Sequence, residues 1–287
     1  MLKTRIITAL VALPAFILII RYLPTWCVML LFLGSVLMAT YEISHLLIPT
    51  IVKACAQFGH EKIHDKTQVK MIRICMVIAA CIFLSSVFGG FQAGRGMIVF
   101  GVLGSMLIAA FSGENVYVSV GAMMGAVVSI CYGALPWLAI WDLYIWEQGP
   151  RYILFACAIV WGGDTGAYFA GRKWGKTPLS KKSPKKTREG AIGGLVASVA
   201  CAIIYDFLYS QPIASLSVIF LAGLFGGIFG QLGDLLESSF KRFAHIKDSG
   251  NIFPGHGGFL DRVDSVLFAA PVIWFILFVA KFGFKAI

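Results

Sequence analysis

Apolar residues fall in long runs along this chain, separated by short polar stretches. A spanning helix needs about 20 mostly apolar residues, because the bilayer core is about 30 Å thick and each helical residue rises about 1.5 Å. Nine runs read as spans: 6–20, 25–41, 71–88, 96–111, 116–140, 152–170, 191–208, 214–233 and 264–283. The fourth is short and rich in glycine. The first follows Lys3 and Arg5, as the apolar part of a signal peptide would. Arg21-Tyr-Leu-Pro stands where a small-residue cleavage site would lie, so the run reads as an uncleaved span. The pattern predicts an all-α, polytopic integral membrane protein with about nine transmembrane helices and no internal repeat.

Composition supports a lipid solvent. Of 287 residues, 59% are hydrophobic and 13% charged, about half the charge of an ordinary soluble domain. The seven cysteines form no C-x-x-C pair and sit mostly in apolar runs. They read as small hydrophobes, with no disulfide or zinc site expected. Trp26, Trp137, Trp141 and Trp146 read as lipid contacts and interface anchors.

The net charge is +10, which fits either a positive-inside bias or an anion-binding role. With the N-terminus inside, 19 of the 24 Lys and Arg residues fall in inside segments and 5 outside. The outside five are Arg21, Arg95, Arg151, Lys281 and Lys285. That asymmetry supports nine spans with a cytoplasmic N-terminus; losing one span between 90 and 150 would scramble it. The inside stretch 48–70 is basic and otherwise plain, and is expected to lie on the membrane surface.

Acids are few, fourteen in all. Five gather near the inside ends of spans: Asp164, Asp234, Glu237, Asp261 and Asp264. An ionised carboxylate in a membrane helix costs about 2.5–3.5 kcal/mol on insertion scales, so it needs a partner. Asp234 with Glu237, and Asp261 with Asp264, are three residues apart and can share a helix face. Crowded carboxylates suit Mg²⁺, which takes one or two of them plus waters and substrate phosphates. The alternative is ordinary interfacial acids, with Asp261 paired to Arg262 or Lys247. Glycines 162, 163, 230, 233, 255, 257 and 258 flank these acids. They can admit backbone N–H groups to phosphate or serve close helix packing.

The loop Gly171–Gly190 holds Ser180-Lys-Lys-Ser-Pro-Lys-Lys-Thr-Arg-Glu-Gly. It lacks the strand and flanking glycines of a P-loop. Its charge fits a polyphosphate, or an anionic membrane surface. His256, between glycines, is either structural or a phosphate contact.

The run 238–264, SSFKRFAHIKDSGNIFPGHGGFLDRVD, resembles the signature of the phosphatidate cytidylyltransferases, also called CDP-diacylglycerol synthases. S-x-F-K-R, then K-D, then P-G-H-G-G-x-x-D-R-x-D are all present. Trp161-Gly-Gly-Asp-Thr-Gly-Ala-Tyr, Ser183-Pro-Lys-Lys-Thr and Leu232-Gly-Asp-Leu-Leu-Glu-Ser also look like family elements. The strong likeness covers about 161–264. It departs at Arg188-Glu-Gly, where an aromatic is expected, and at Lys185, where glycine is common.

The resemblance implies a multi-pass enzyme of the bacterial inner membrane, working at the cytoplasmic face and often homodimeric. It would condense CTP with phosphatidic acid, releasing pyrophosphate, for phospholipid biosynthesis. No nucleic acid is implied as a partner. Residues 1–150 would be scaffold and lipid access, and 151–287 the catalytic region. Mg²⁺ is the implied cofactor, with a second, monovalent cation left open. Asp234 and Asp261 are the first choices as its ligands, then Asp164 and Asp264. Lys241, Arg242 and Lys247 would neutralise substrate phosphates. Ser183, Lys186 and Thr187 would hold the nucleotide's phosphates, with Ser238 beside them. Asp248, His256 and Arg262 complete the expected catalytic set. A CTP-dependent lipid kinase would release CDP instead. A transporter would carry charge along the depth of its spans, not at one end.

Overall fold

The computed structural model describes residues 13–60, 65–180, 183–250, 252 and 257–283. A short apolar helix, α1 (Leu13–Tyr22), is followed by α2 (Thr25–Gly59), α3 (Asp65–Ala110), α4 (Val116–Gly133), α5 (Leu135–Ile145) and α6 (Gly149–Trp174). Two strands, β1 (Pro178–Ser180) and β2 (Ser183–Thr187), precede α7 (Arg188–Phe207), α8 (Leu216–Phe243) and α9 (Leu260–Phe282). Seven helical stretches among the described residues are long and apolar enough to cross a membrane. The protein is thus an all-α polytopic membrane protein with one small ribbon.

α3 is formally 46 residues long, which would be about 69 Å if straight. It is not straight. Gly90 has φ 77° and ψ 177°, a conformation open mainly to glycine. Beyond it the chain doubles back: a Cβ on Gly101 would lie 2.5 Å from Ile78 Cγ2, and one on Gly94 would lie 2.8 Å from Ser86 Cβ. In a straight helix Gly101 and Ile78 would be about 35 Å apart. The two arms of this hairpin correspond to the third and fourth spans read from the sequence.

The chain packs as two compact units. The first comprises Met1–Trp141 and Phe240–Arg262; the second comprises Asp142–Ser239 and Val263–Ile287. The segment Phe240–Arg262, which lies in the C-terminal half of the sequence, therefore packs with the N-terminal helices.

In the first unit α4 runs antiparallel along α2. Gly121, Gly125 and Gly133 lie against Val52, Ile48 and Thr40, letting the backbones approach closely. Residues 48–59 continue α2 instead of forming a surface loop, because α4 covers them; Pro49 is accommodated within the helix. Trp137 and Trp141 are 5% and 3% exposed and are core residues rather than lipid anchors. Phe32 packs on both indoles, and Phe83 meets Trp141 edge-on at 5.7 Å. Trp26, at 61% exposure, keeps the peripheral position read for it. Thr67 donates a hydrogen bond to Glu114, so the start of α3 and the start of α4 lie at the same end.

In the second unit α6 and α7 meet along a small-residue seam in which Gly163 faces Ser198 and Gly166 faces Ala197. The Ser198 hydroxyl donates to the Ile159 carbonyl at 3.0 Å. At one end of this unit Arg151 pairs with Asp206 at 3.3 Å. Asp142 accepts from the indoles of Trp146 and Trp274.

The ribbon β1–β2 is antiparallel, pairing Pro178 with Thr187 and Ser180 with Ser183. It departs from the purely helical reading for a simple reason. The stretch has no apolar periodicity, and prolines 178 and 184 cannot sit inside a helix without losing a hydrogen bond, whereas an edge strand tolerates them. Thr187 ends the ribbon and caps α7, its Oγ1 accepting from Gly190 N at 3.1 Å.

Candidate active site

Most of the predicted site residues collect in one cluster in each unit. In the first unit the centre is Asp261, in the first turn of α9. Its carboxylate is ion-paired with Lys241. It also accepts from Ser249 N at 2.9 Å, Ser249 Oγ at 3.0 Å and Gly258 N at 2.8 Å. The two charged side chains are only 12% and 9% exposed, so each depends on the other. The sequence alternative of an Asp261 pair with Arg262 or Lys247 is replaced by Lys241, twenty residues upstream on α8.

Beside it lies a residue that sequence reasoning passed over. Glu42, in the middle of α2 and 3% exposed, accepts from Phe259 N at 2.8 Å, Leu260 N at 2.8 Å and Ser249 Oγ at 2.7 Å. The hydroxyl of Ser249 lies between the carboxylates of Glu42 and Asp261 and has one proton for the two. Glu42 also takes up free N–H groups at the start of α9, where a negative charge is favoured by the helix dipole. A signal for it existed. It is an acid at the inside end of the predicted span 25–41, the criterion that singled out the other five.

The glycines here serve these acids. A Cβ on Gly258 would lie 2.4 Å from Glu42 Oε2, and one on Gly257 2.7 Å from Asp261 Oδ2. Gly257 also has φ +80°. The backbone thus wraps carboxylates, where the sequence reading expected it to approach phosphate or other helices. Gly257→Ala is expected to destabilise the fold by about 1–3 kcal/mol through backbone strain, beyond its displacement of Asp261. A lowered thermal midpoint in detergent, with turnover reduced in parallel, checks this.

In the second unit Lys186 of β2 is ion-paired with Asp234 of α8. Asp164 of α6 lies within electrostatic range of Asp264, Asp234 and Lys186. Ser238 Oγ donates to Asp234 at 3.4 Å. A cavity of about 430 Å³ is lined by Asp164, Tyr168, Arg172, Lys185, Lys186, Asp234 and the α7 N-terminus at Thr187 and Gly190. Acids and bases therefore face one another across it. Glu189, which follows Arg188, accepts from Lys176 N at 3.1 Å and Thr177 N at 3.2 Å and so ties the turn that leads into the ribbon.

The remaining predicted residues fall as follows. Ser183 starts β2 opposite Ser180. Arg242, Lys247, Asp248 and Arg262 are exposed, with Arg242 donating to the Ile246 carbonyl at 3.4 Å. Asp248 Cβ lies near Gly257. His256 lies outside the described residues. Glu237 is fully buried. Gly163 and Gly233 pack against Ser198 and Phe268, so their smallness serves helix packing.

The oxygen donors of the second unit fit Mg²⁺ of the open kind. Asp234 and Asp264 each lie within electrostatic range of Asp164, and Lys186 is the cation that answers Asp164 and Asp234. Among the described residues no group of three or more His, Cys, Asp or Glu side chains is placed to hold a metal ion by itself. A cation completed by water and substrate phosphates asks for only one or two carboxylates.

The fold defines a polytopic membrane protein with a cluster of facing acids and bases in each of its two units. The profile of the cytidylyltransferase family matches residues 3–280, and the chain belongs to that family. It is 47% identical over 132 residues to a phosphatidate cytidylyltransferase of Bacillus subtilis, covering 46% of this chain and 49% of the relative. It is 42% identical over 153 residues to one of Staphylococcus saprophyticus and 44% over 159 residues to one of Staphylococcus aureus. In both cases 52% of this chain and 58% of the relative are covered. The chain thus spans about half the length of the curated relatives it matches.

Proposed function

We propose that this protein transfers the cytidylyl group of CTP to phosphatidic acid, giving CDP-diacylglycerol and pyrophosphate. The observation that carries the reading is the 430 Å³ cavity in which Lys185 and Lys186 face Asp164 and Asp234 at the start of α7. Family membership and the names of the relatives support it.

The phosphate of phosphatidic acid is already anionic near neutral pH and needs positioning more than a base. One of its oxygens attacks the α-phosphorus of CTP. A P–O bond forms there as the bond to the bridging oxygen of the β-phosphate breaks, and pyrophosphate leaves with that electron pair. Positioning and charge stabilisation dominate such a transfer. Lys186 and Thr187 hold the nucleotide's phosphates, with Ser183 beside them. Lys241, Arg242 and Lys247 neutralise phosphate charge, and Ser249 and Glu42 fix Asp261. Asp234, with Asp164 or Asp264, would hold Mg²⁺, which supplies charge stabilisation when bound; Asp261, in the other cluster, is the alternative ligand. On this reading the protein is a homodimer of the inner membrane, its site facing the cytoplasm.

The test is pyrophosphate release by the purified chain with phosphatidic acid, CTP and Mg²⁺, and with each omitted in turn. Release requiring all three, with a CDP-lipid product, supports the proposal. CDP as the released nucleotide product would overturn it in favour of a kinase.

Lys186→Met gives a second check. Both partners of its ion pair are 32% exposed, so its loss should change stability by less than about 1 kcal/mol. The KM for CTP should rise at least tenfold, because the ammonium's larger role is to the nucleotide. Steady-state kinetics beside a thermal midpoint separates the two effects.

A further inference from the structure

The α3 hairpin carries a feature that none of this chemistry uses. Between its arms lies a groove of about 810 Å³. One wall is a helical stripe, in which Lys66, Lys70 and Arg73 give way to Val77 and Ile78 at i, i+3, i+4 spacing. The other wall is Met97, Phe100, Gly104 and Ile108, again on one helix face. Val77 and Phe100 are 62% and 74% exposed, so the groove opens sideways to the surroundings of the helices. Gly104 leaves it open: a Cβ there would meet nothing within 4 Å.

All the charge sits at one end. Lys66, Lys70 and Arg73 make no ion pair with a described residue. Asp65 lies at the same rim. Glu114 is nearby and engaged by Thr67. Three cations against one rim acid leave net positive charge there, and from Asp65 to Ile78 the groove runs about 20 Å along the arm. A basic end between membrane helices with an apolar trough below it matches one kind of ligand: an anionic head group whose acyl chain follows it down.

We propose that this groove binds one anionic glycerophospholipid of the surrounding leaflet, its phosphate held by Lys66, Lys70 and Arg73 and an acyl chain lying along Val77, Phe100 and Gly104. The groove belongs wholly to the first unit, and the proposal holds whichever reaction the acidic clusters perform.

The test is native mass spectrometry of the full chain in detergent, titrated with phosphatidylglycerol and separately with phosphatidylcholine. Phosphatidylglycerol should bind at one equivalent, at least tenfold more tightly than phosphatidylcholine. Replacing Lys66, Lys70 and Arg73 together by Gln should remove that preference, whereas Lys66→Arg, Lys70→Arg and Arg73→Lys together should keep it. Gly104→Leu fills the trough without touching the charges and should weaken phosphatidylglycerol at least tenfold. Unchanged binding in Gly104→Leu would overturn the proposal, since the bases would then be attracting head groups at the surface only. A shift of Gly104→Leu from dimer to monomer, with lipid binding intact, would overturn it in favour of a second copy as the occupant. A thermal midpoint for each variant, together with the charge-conserving triple variant, separates lost binding from lost folding.

Discussion

Asp261→Asn should lower turnover roughly 10- to 150-fold while the protein still reaches the membrane. The substitution keeps the volume of the side chain and removes its charge. The carboxylate accepts from Lys241, from both donors of Ser249 and from Gly258 N. A hydrogen bond to a charged group is worth about 1.5–3 kcal/mol, and each 1.36 kcal/mol is tenfold in rate. Removing one partner of a nearly buried pair also leaves the other charge uncompensated, at about 3–5 kcal/mol. Lys241→Met alone and the double variant separate the two effects. If the pair is only structural, the double variant should recover both stability and turnover. If Asp261 acts on substrate or cation, stability should return without turnover. Cytidylyl transfer measured beside the thermal midpoint decides, and an Asp261→Asn protein with more than a tenth of wild-type turnover would remove the residue from the site.

Glu42→Gln should cost about 2–4 kcal/mol of stability and most of the turnover, although Glu42 need touch no substrate. Its two oxygens face three donors, Phe259 N, Leu260 N and Ser249 Oγ. An amide in the same place turns one acceptor into a donor. A backbone N–H then meets an N–H with no water to relieve it, and a buried unsatisfied donor alone costs about 1–3 kcal/mol. The start of α9 would lose its anchor, and Asp261, the next residue after Leu260, would move with it. The fall should appear in kcat more than in the KM for CTP, together with faster proteolysis between 244 and 259. A variant with the wild-type midpoint and kcat would show that the clamp on α9 is dispensable.

Much of the candidate chemistry was legible because it is local. Asp164, Asp234, Asp261 and Asp264 stand out as charges in an apolar chain, where a charge demands a reason. Lys186 and Lys241 stand out by lying beside them in motifs. The partners were not legible. The alternative to a metal role for Asp261 was a pair with Arg262 or Lys247, yet Lys241 meets it, because α8 and α9 bring their ends together and sequence proximity does not. Glu42 lies 207 residues from Ser249, a distance that no periodicity spans. The indoles of Trp137 and Trp141 read as interface anchors because an apolar run looks alike whether it faces lipid or protein.

The sequence by itself determined the lipid solvent, the helical class and the long apolar segments from residue 25 onward, since each rests on the length and polarity of a single segment; most of the first span read, 6–20, lies outside the described residues. Hydrophobic runs near bilayer thickness leave little choice of structure when every backbone group must find its partner within the membrane. Only the tertiary structure decided that the third and fourth spans turn about Gly90, that Phe240–Arg262 joins the N-terminal unit, and that Gly257 and Gly258 wrap the carboxylates of Asp261 and Glu42. Those outcomes depend on which helix faces meet, and in an apolar chain small residues and buried charges far apart in sequence decide that.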